Sequence, residues 1–347
     1  MMARNFRHGK VTRVFVDAYE LTGYLRSAEQ SGTVDKAETS AFQDGAKTYV
    51  PGMVDDSFAF EGMFDGQVGA IRDQLQGSLG GNDHILTLAP EDAVFGRWLT
   101  LADVIQTKFG VKGDDANIVA ISADMQSSGR AWEGPSLHDY DDAETASGTS
   151  DPYNVGQFPL AFGGVGHLHV IANTMNAGST FTVQHSASEK QHVTLTLFSS
   201  SEHFKLTAGA AQGAGTTSFI TRGTTFTPAG IKAAIEATTG WPVGAKVVIS
   251  GLTDAGFDMT FYGTLGGANV DTFSIGTFDG DAGGSVSTTT VGGTWADLLV
   301  FTTVAAGLTA VERKEVAGTV GQNLRGKWDF TGAGSASFVL AFARKTL

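Results

Sequence analysis

Hydrophobic and polar residues alternate with a period of two along many short stretches of this chain. Successive side chains of a β-strand point to opposite faces, so this alternation predicts strands that bury one face. The pattern therefore predicts a mainly β fold. The clearest stretches are residues 58–64, 181–185, 193–197, 257–261 and 338–344.

A short helix is predicted over residues 67–76, beside the first of these strands. Asp65 precedes the stretch and is the predicted N-cap. Within it, Val68, Ile71 and Leu75 repeat at the spacing of one helix face.

A second helix has a sharper start at Thr227 and Pro228. The threonine hydroxyl can cap the first turn, and proline is favoured at the first helical position. Gly240 is the predicted end, because glycine commonly follows the last turn of a helix. The predicted buried face consists of Ile231, Ala234, Ile235 and Thr238.

The chain divides into a core and an insertion. Residues 190–293 contain strands, the second helix and further strands, and they end in a Gly/Ser/Thr run over 280–293 that is typical of a linker. If residues 190–293 are left out, the strand-like segments 181–188 and 295–302 follow one another and can form a hairpin. An insertion at the tip of a hairpin destabilises a fold least. We therefore predict a core domain of residues 1–189 with 294–347, and an inserted small α+β domain of residues 190–293.

Residues 133–158 carry no apolar period. An acidic stretch passes there into small polar residues and Pro152. This composition predicts a mobile surface loop.

The formal net charge is −13. Residues 190–293 hold five Lys or Arg against seven Asp or Glu, a net −2, which leaves −11 for the rest of the chain. Proteins that grip nucleic acid do so with clustered basic residues, so a DNA-binding role is disfavoured. A passage through which DNA slides without binding is compatible with the negative sign.

The chain has no cysteine, which excludes disulfides and thiolate metal sites. The basic N-terminus lacks the apolar run of a secretory signal, and no stretch approaches the roughly 18 consecutive apolar residues of a membrane span. We expect the protein in the cytoplasm or in a particle assembled there, with no membrane partner.

Two groups of residues resemble metal ligands. His167 and His169 lie two apart on a predicted strand and point the same way, but a third ligand is missing nearby. Structural histidines near a subunit contact are the favoured interpretation. The acidic residues of the predicted loop lack the Gly-containing order of ligands of an EF-hand, which favours a solvated loop. They are Asp139, Asp141, Asp142 and Glu144.

Sequence signatures of catalysis are absent. The chain has no GxSxG elbow, no phosphate-binding GxxxxGK[ST], no HExxH and no credible dinucleotide fingerprint. We predict no catalytic residue, no metal and no cofactor, and a non-enzymatic protein. Pairs of carboxylates for glycoside chemistry remain possible in any acidic chain, although nothing singles one pair out.

The first 65 residues closely resemble the opening of tail tube proteins of long-tailed bacteriophages that infect actinobacteria. The resemblance covers 14–25, 37–53 and 55–65, and its most specific part is the segment from Glu38 and Thr39 to Pro51 and Gly52. The C-terminal part is similar to the same family over 164–170, 183–186 with 295–298, 311–320 and 332–344. Gln322 to Arg325 departs from it, since a Tyr or Phe is expected beside the arginine. Residues 190–293 resemble, more weakly, small modules of phage tail and surface proteins.

The resemblance implies a tail-tube-type β-sandwich or barrel with a short flanking helix. It implies subunits whose sheets join edge to edge in rings, usually hexamers, that stack into the tube of a virion. Genomic DNA would pass through the lumen without specific binding. Further partners implied are the tape measure protein and the tail terminator and distal tail proteins, with assembly in the host cytoplasm.

The same resemblance implies that the loop from Phe42 to Gly52 reaches from one ring to the next, and that both chain ends help to stack rings. Rigid apolar groups on a loop gain most from burial against a partner. An ordinary hairpin loop that packs on its own domain is the alternative. The predicted contact residues are Phe42, Asp44, Tyr49, Val50, Pro51 and Gly52.

Two other functions stay open. A glycan-binding or capsid decoration protein predicts a surface groove lined by aromatics such as Trp241, Tyr262 or Trp295. A polysaccharide-degrading enzyme predicts a cleft with two carboxylates at catalytic separation.

Overall fold

A computed structural model describes residues 11–39, 46, 49–67, 70–81, 83–114, 117–154, 162–198, 202–276 and 282–345. Within these ranges the chain is mainly β, as the alternation predicted. Its strands form several sheets that pack into cores of their own.

The first eight strands form one antiparallel sheet, called the first sheet below. Its strand order is β2-β1-β5-β6-β7-β4-β3, and β8 pairs with β6. The elements are β1 (Arg13–Val16), β2 (Tyr19–Glu20), β3 (Leu25–Glu38), β4 (Tyr49–Met63), α1 (Ile71–Ser78), β5 (His84–Ala89), β6 (Trp98–Asp114), β7 (Asn117–Ser127) and β8 (Trp132–Pro135).

The first helix is shorter than predicted and begins later. It starts at Ile71, and its N-cap position, Ala70, makes no side-chain capping bond. Asp65 instead accepts a hydrogen bond from the Gln67 N–H at 2.9 Å, which stabilises a turn before the helix. Ile71 and Leu75 are buried as predicted, whereas Val68 lies outside the described residues.

The remaining strands follow in chain order. They are β9 (Gly148–Thr149), β10 (Tyr153–Asn154), β11 (Gly164–Asn173), β12 (Ser179–Ser186), β13 (Lys190–Thr196), β14 (His203–Thr207), β15 (Ile220–Thr221), α2 (Pro228–Glu236), β16 (Lys246–Thr253), β17 (Gly256–Tyr262), β18 (Ser274–Gly276), β19 (Gly283–Thr290), β20 (Ala296–Val300), β21 (Ala310–Val316), β22 (Asn323–Phe330) and β23 (Ala336–Arg344). Two 3₁₀ turns, Ala210–Gln212 and Gly263–Leu265, complete the described elements.

A three-stranded middle sheet, β21-β11-β23, packs between the first sheet and a third sheet of order β10-β22-β12-β20 with β9. Alternate residues of strand β23 contact the two neighbouring sheets. Phe338, Leu340 and Phe342 pack toward the third sheet, while Val339 and Ala341 pack toward the first. Its apolar run is continuous because both faces are buried.

The predicted loop over residues 133–158 was wrong where short strands occur, whereas 137–143 and 145–147 are turns or irregular structure. This stretch contains the end of β8, then β9 and β10, and isolated bridges at Ser136 and Glu144. The partners are distant in sequence, since β8 pairs with β6, and β9 and β10 pair with β22. Local sequence gives no signal for such pairing.

Residues 190–293 form two sheets, β16-β17-β13-β19 and β15-β14-β18, around a Phe-rich core. The flanking strands β12 and β20 pair antiparallel, with Thr182 opposite Val300 and His185 opposite Ala296. The predicted linker over 280–293 was wrong in its described part, because Gly283–Thr290 is strand β19 and pairs with β13. The division into two domains stays a proposal.

The second helix confirms its predicted start. Thr227 accepts a hydrogen bond from the Gly230 N–H at 3.0 Å, and Pro228 occupies the first turn. Ile231, Ala234 and Ile235 are buried against the core of residues 190–293. The helix ends at Glu236, before the predicted stop at Gly240.

Glu189 lies where the chain enters residues 190–293 and also binds Gly292, near where the chain leaves them. Its fully buried carboxylate accepts hydrogen bonds from the Gln191 side chain at 2.8 Å, the Val270 N–H at 2.7 Å and the Gly292 N–H at 3.4 Å.

We expect Glu189→Ala to destabilise the chain by about 3 kcal/mol, because buried donors lose their acceptor. Urea unfolding measures this cost. The control is Asp329→Ala, which removes only a partly exposed ion pair with Lys327 and should cost under about 1 kcal/mol. Equal small effects of both substitutions would contradict the structural role of Glu189.

Candidate functional site

The predicted contact residues divide between a strand and undescribed positions. Phe42 and Asp44 lie outside the described residues. Tyr49, Val50, Pro51 and Gly52 begin strand β4 instead of lying in a loop, so the predicted loop was too long at this end. Their backbone pairs with β3, with Tyr49 opposite Glu38 and Pro51 opposite Lys36.

The far half of the β3–β4 hairpin leaves the body of the first sheet. Phe58 and Phe60 are buried in the core, but residues 31–36, 49–50 and 52–55 of the hairpin are exposed. Met53 is 79% exposed, and Val34 and Val50 are each 53% exposed.

Strand β3 is an open edge of the first sheet. It is the terminal strand of the order, and in the described part of the chain it pairs only with β4. The Asp56 N–H and carbonyl contact the side chains of Ser127 and Gln126 on β7, so the backbone of Asp56 faces away from β3. In an antiparallel pair, two opposite residues point their backbone N–H and C=O groups either toward each other or both away. Gly32 lies opposite Asp56, so its N–H and C=O point away from β4 and toward solvent. The same holds for Gln30 and Val34.

Strand β6 provides the other open edge. On one side, β6 pairs with β5 as far as Val104, and an isolated bridge joins Gln106 to Leu79. Further along, no described strand pairs with residues 107–114 on this side. The four-stranded sector β6-β7-β4-β3 is therefore flanked by two unpaired borders. Such borders readily pair with other chains.

The two faces of this sector differ in chemistry. One face carries Phe58, Phe60, Ile121 and Met125 into the core. The other face is solvent-exposed, and two of its cross-strand rows consist of small or charged residues. One row runs through Glu29, Ala59, Asp124 and Lys108, and the next through Ser27, Glu61, Ser122 and Gly110. Lys108 and Asp124 form an ion pair at 3.1 Å.

His167 and His169 face the first sheet within the same chain, so their predicted place near a subunit contact was wrong. Both side chains are fully buried. The Thr87 hydroxyl lies 3.1 Å from His167 Nδ1 and 2.8 Å from His169 Nε2, and His169 Nδ1 lies 2.5 Å from the Asp17 carbonyl. Burial lowers the pKa of His169 to about 4 and holds the pKa of His167 well below its usual value. Neutral imidazoles therefore fill this interface.

Among the acidic residues of the predicted loop, Asp141 is tied to the first sheet through Arg13. Arg13 binds Asp141 at 2.7 Å, Asp92 at 2.5 Å and Glu20 at 3.3 Å. The Tyr140 hydroxyl donates to Glu20 at 3.0 Å. These contacts give the loop a structural role. Among the residues that the structure describes, no group of three or more His, Asp or Glu is placed to hold a metal ion.

The aromatic residues named for a glycan groove are engaged inside the fold. Trp241 packs against the core of residues 190–293, and Tyr262 is buried. The Arg325 guanidinium lies 4.3 Å from the ring centre of Trp295. Sequence reasoning missed a different aromatic pair, Trp98 and Trp132, which line a cavity beside β8. Their proximity depends on the β6–β8 pairing, so no local motif could have indicated it.

In the described part of the chain, neither helix has the length and apolarity needed to cross a bilayer.

No protein-family model matches this chain, and no curated protein matches it. Among solved structures it is similar to a chain of the virion of a native gene transfer agent particle, with 15% identity, a TM-score of 0.31, and coverage of 36% of this chain and 97% of that chain. A chain from the tail of an empty gene transfer agent particle, determined with C6 symmetry, has 17% identity, a TM-score of 0.30 and the same coverages. The SPP1 Dit protein, described as a hub of the adsorption apparatus in phages infecting Gram-positive bacteria, has 10% identity and a TM-score of 0.27 over 92% of this chain and 98% of that chain. Similarities of this size leave the function to be argued from the chain's own residues and geometry.

Proposed function

We propose that this protein is a non-enzymatic structural subunit of a bacteriophage tail, and that it polymerises as stacked rings into the tail tube of a long-tailed phage. The observation that carries the proposal is the four-stranded sector with an unpaired border on each side, β3 and the far half of β6. Pairing β3 of one copy with β6 of the next satisfies both borders and closes a continuous wall.

The orientation of the wall follows from its two faces. The core face of the sector is covered by the body of the chain, so the face with Glu29, Glu61 and Asp124 lines the lumen. Most side chains of the two rows are small or charged, and Lys108 is paired with Asp124. Ile105 and Ile118 are exposed on the same face. The hexameric ring and the tape measure, terminator and distal tail partners rest on the family resemblance of the sequence.

Electron microscopy of the purified and concentrated protein tests this function. Rings or tubes in negative stain are the expected result. Dispersed monomers with affinity for glycan would favour the binding-module alternative, and hydrolysis of a cell-wall or capsule polymer would favour the enzyme.

Deletion of residues 190–293 tests the place of this segment in the assembly. It joins the rest of the chain at the β12–β20 hairpin, on the third sheet, away from the four-stranded sector. We expect a chain that joins residue 189 to residue 294 to form tubes of wild-type inner diameter and smaller outer diameter. A folded deletion variant that forms no rings would contradict an outward, dispensable segment.

A further inference from the structure

The first sheet curls around its core and opens at one side. The Thr100 hydroxyl on β6 donates a hydrogen bond to Gln30 Oε1 on β3 at 2.9 Å, although β7 and β4 lie between these strands in the sheet order. A cavity of about 410 Å³ lies at this opening, between β8 and the β3–β4 hairpin. Its volume suits a small ligand, since pockets for such ligands measure roughly 300–1,000 Å³. The lining residues are Gln30, Val54, Asp56, Trp98, Arg130, Ala131, Trp132, Glu133, Gly134, Pro135 and Arg344.

Trp98 offers an aromatic surface in this cavity. Its side chain is 54% exposed, which is unusual for so large an apolar residue. Trp132 is instead held by two cations, because the Arg130 guanidinium lies 4.8 Å and Lys345 Nζ lies 5.8 Å from the centre of its ring. The exposed indole of Trp98 is therefore the one placed to pack against a ligand.

The charged groups that line the cavity balance one another. There are two carboxylates and two guanidinium groups, and they belong to Asp56, Glu133, Arg130 and Arg344. Lys345, beside Trp132, is paired with Glu315. Two carboxylates oppose an anionic ligand and two guanidinium groups oppose a cationic one, so this balance favours an uncharged ligand. A purely apolar ligand would desolvate the charged groups without giving them hydrogen bonds, which is costly.

Two hydrogen bonds within the chain hold the walls of the cavity in place. Asp56 Oδ2 accepts a hydrogen bond from the Ala131 N–H at 2.9 Å, which fixes the segment before β8 to strand β4. Gln30 Oε1 accepts from Thr100, so the amide N–H groups of Gln30 are the part that can donate to a ligand. Glu133 is exposed and supplies an acceptor. Donors and acceptors therefore lie side by side next to an indole before any ligand binds.

We propose that this cavity binds a neutral sugar, either free or as the terminal unit of a glycan. The C–H groups of the sugar ring pack on the indole of Trp98. Neighbouring hydroxyl groups of the sugar donate to Glu133 and accept from the Arg130 guanidinium and the Gln30 amide. A hydroxyl both donates and accepts, so a neutral polyhydroxyl ligand satisfies the mixed charges of the cavity. Assembly into a tube does not require this site, so the inference stands apart from the proposed function.

The cavity opens away from the proposed lumen. Gln30 lies directly opposite Phe58, and directly opposite residues of an antiparallel pair share one face of the sheet. Phe58 lies in the core, whereas the row of Glu29 and Ala59 lies on the proposed lumen face. In a tube, the sugar site therefore lies on the outer side of the wall and leaves the DNA passage clear.

Saturation-transfer NMR and calorimetry with the purified chain test the site. The neutral probes are glucose, galactose, rhamnose and N-acetylglucosamine, and the charged analogues are galacturonic acid and glucosamine. Maltotriose and chitotriose form a second arm. We expect at least one neutral sugar to bind, with an affinity that is unchanged between about 0.05 M and about 0.5 M salt, because screening acts only on charged ligands. Equal affinity for free sugar and oligosaccharide identifies a single-unit ligand, whereas tighter binding of the oligosaccharide identifies a glycan.

Substitutions locate the binding in the cavity. Trp98→Ala should weaken the bound sugar at least about tenfold, because the aromatic packing surface is lost. Glu133→Lys should also weaken it, because an acceptor is removed. Both side chains are exposed, so the circular dichroism of both variants should match the wild type. Trp295→Phe is the control, since Trp295 packs against Arg325 and does not line the cavity, and it should bind like the wild type.

The opposite results overturn the inference. Binding that survives both cavity substitutions, or that is lost in Trp295→Phe, places the sugar site elsewhere. Tighter binding of galacturonic acid or glucosamine than of every neutral sugar, or tighter binding by Glu133→Lys, overturns the neutral ligand. A chain that forms tubes but binds no sugar of the panel overturns this site and leaves the proposed function standing. A chain that binds sugar through the cavity but forms neither rings nor tubes does the reverse.

Discussion

The Val34→Pro variant is expected to fold like the wild type and to lose ring assembly. The backbone N–H of Val34 points away from β4, toward the open border of β3, so proline there breaks no hydrogen bond within the chain. It removes a donor from the border and hinders the approach of a neighbouring strand. A lost hydrogen bond is worth about 1 kcal/mol, and every interface of a ring repeats the loss.

We expect the protein concentration at which rings appear to rise at least about tenfold. Sedimentation and negative-stain microscopy at increasing concentration measure it. Val34→Thr is the matched control, because it keeps the N–H and the branched side chain, and it should assemble normally. Unchanged rings in Val34→Pro, with circular dichroism like that of the wild type, would refute edge pairing through β3.

Acid is expected to destabilise the chain between pH 6.5 and about 4. The pKa of His169 falls from 6.5 in the unfolded chain to about 4 in the fold, chiefly because the ring is buried. The unfolded chain therefore takes up the proton first, so the stabilisation is complete above pH 6.5 and is lost as the pH falls toward 4. The shift corresponds to about 3 kcal/mol for this residue alone. The lowered pKa of His167 adds to the loss in the same direction.

Urea unfolding at pH 7.5 and pH 4.5 measures this loss. His169→Gln should reduce stability at pH 7.5 but make the difference between the two pH values smaller by about 2 kcal/mol or more. His203→Gln is the matched control, because His203 lies on strand β14, away from the interface between the first and middle sheets. An unchanged pH difference in His169→Gln would show that other groups cause the acid sensitivity.

Local sequence was sufficient for elements whose signals are local. The period-two stretches at 181–185, 257–261 and 338–344 lie on strands, and those at 58–64 and 193–197 run one residue past the end of theirs. Alternation reports which face of a strand is buried. The Thr227-Pro228 start of α2 was equally clear, since its capping bond joins residues three apart. The prediction that Asp65 caps the first helix was wrong, because an aspartate side chain can accept a hydrogen bond from a turn as well as from a helix start.

Features that depend on distant partners could not be predicted in this way. The polar run at 283–290 resembles a linker, yet it forms a strand because β13 offers it a partner almost one hundred residues earlier. The described part of 133–158, residues 133–154, contains strands that pair with β6 and β22, and its Asp141 binds Arg13. The candidate site follows the same division. The stretch 58–64 at the base of the hairpin is visible in the pattern, whereas the start of β4 at Tyr49, the unpaired borders and the Trp98–Trp132 cavity depend on strand pairing.

The sequence by itself determined that this chain is mainly β, that strands run through stretches such as 181–185 and 338–344, and that a helix begins at Thr227 and Pro228. Only the tertiary structure decided that β3 and the far half of β6 lack partners, that His167 and His169 are enclosed within one chain, and that a cavity opens beside β8. Alternation is a property of neighbouring residues, but a border, an interface or a cavity depends on which strands lie side by side. That choice is made by packing between residues far apart in the chain.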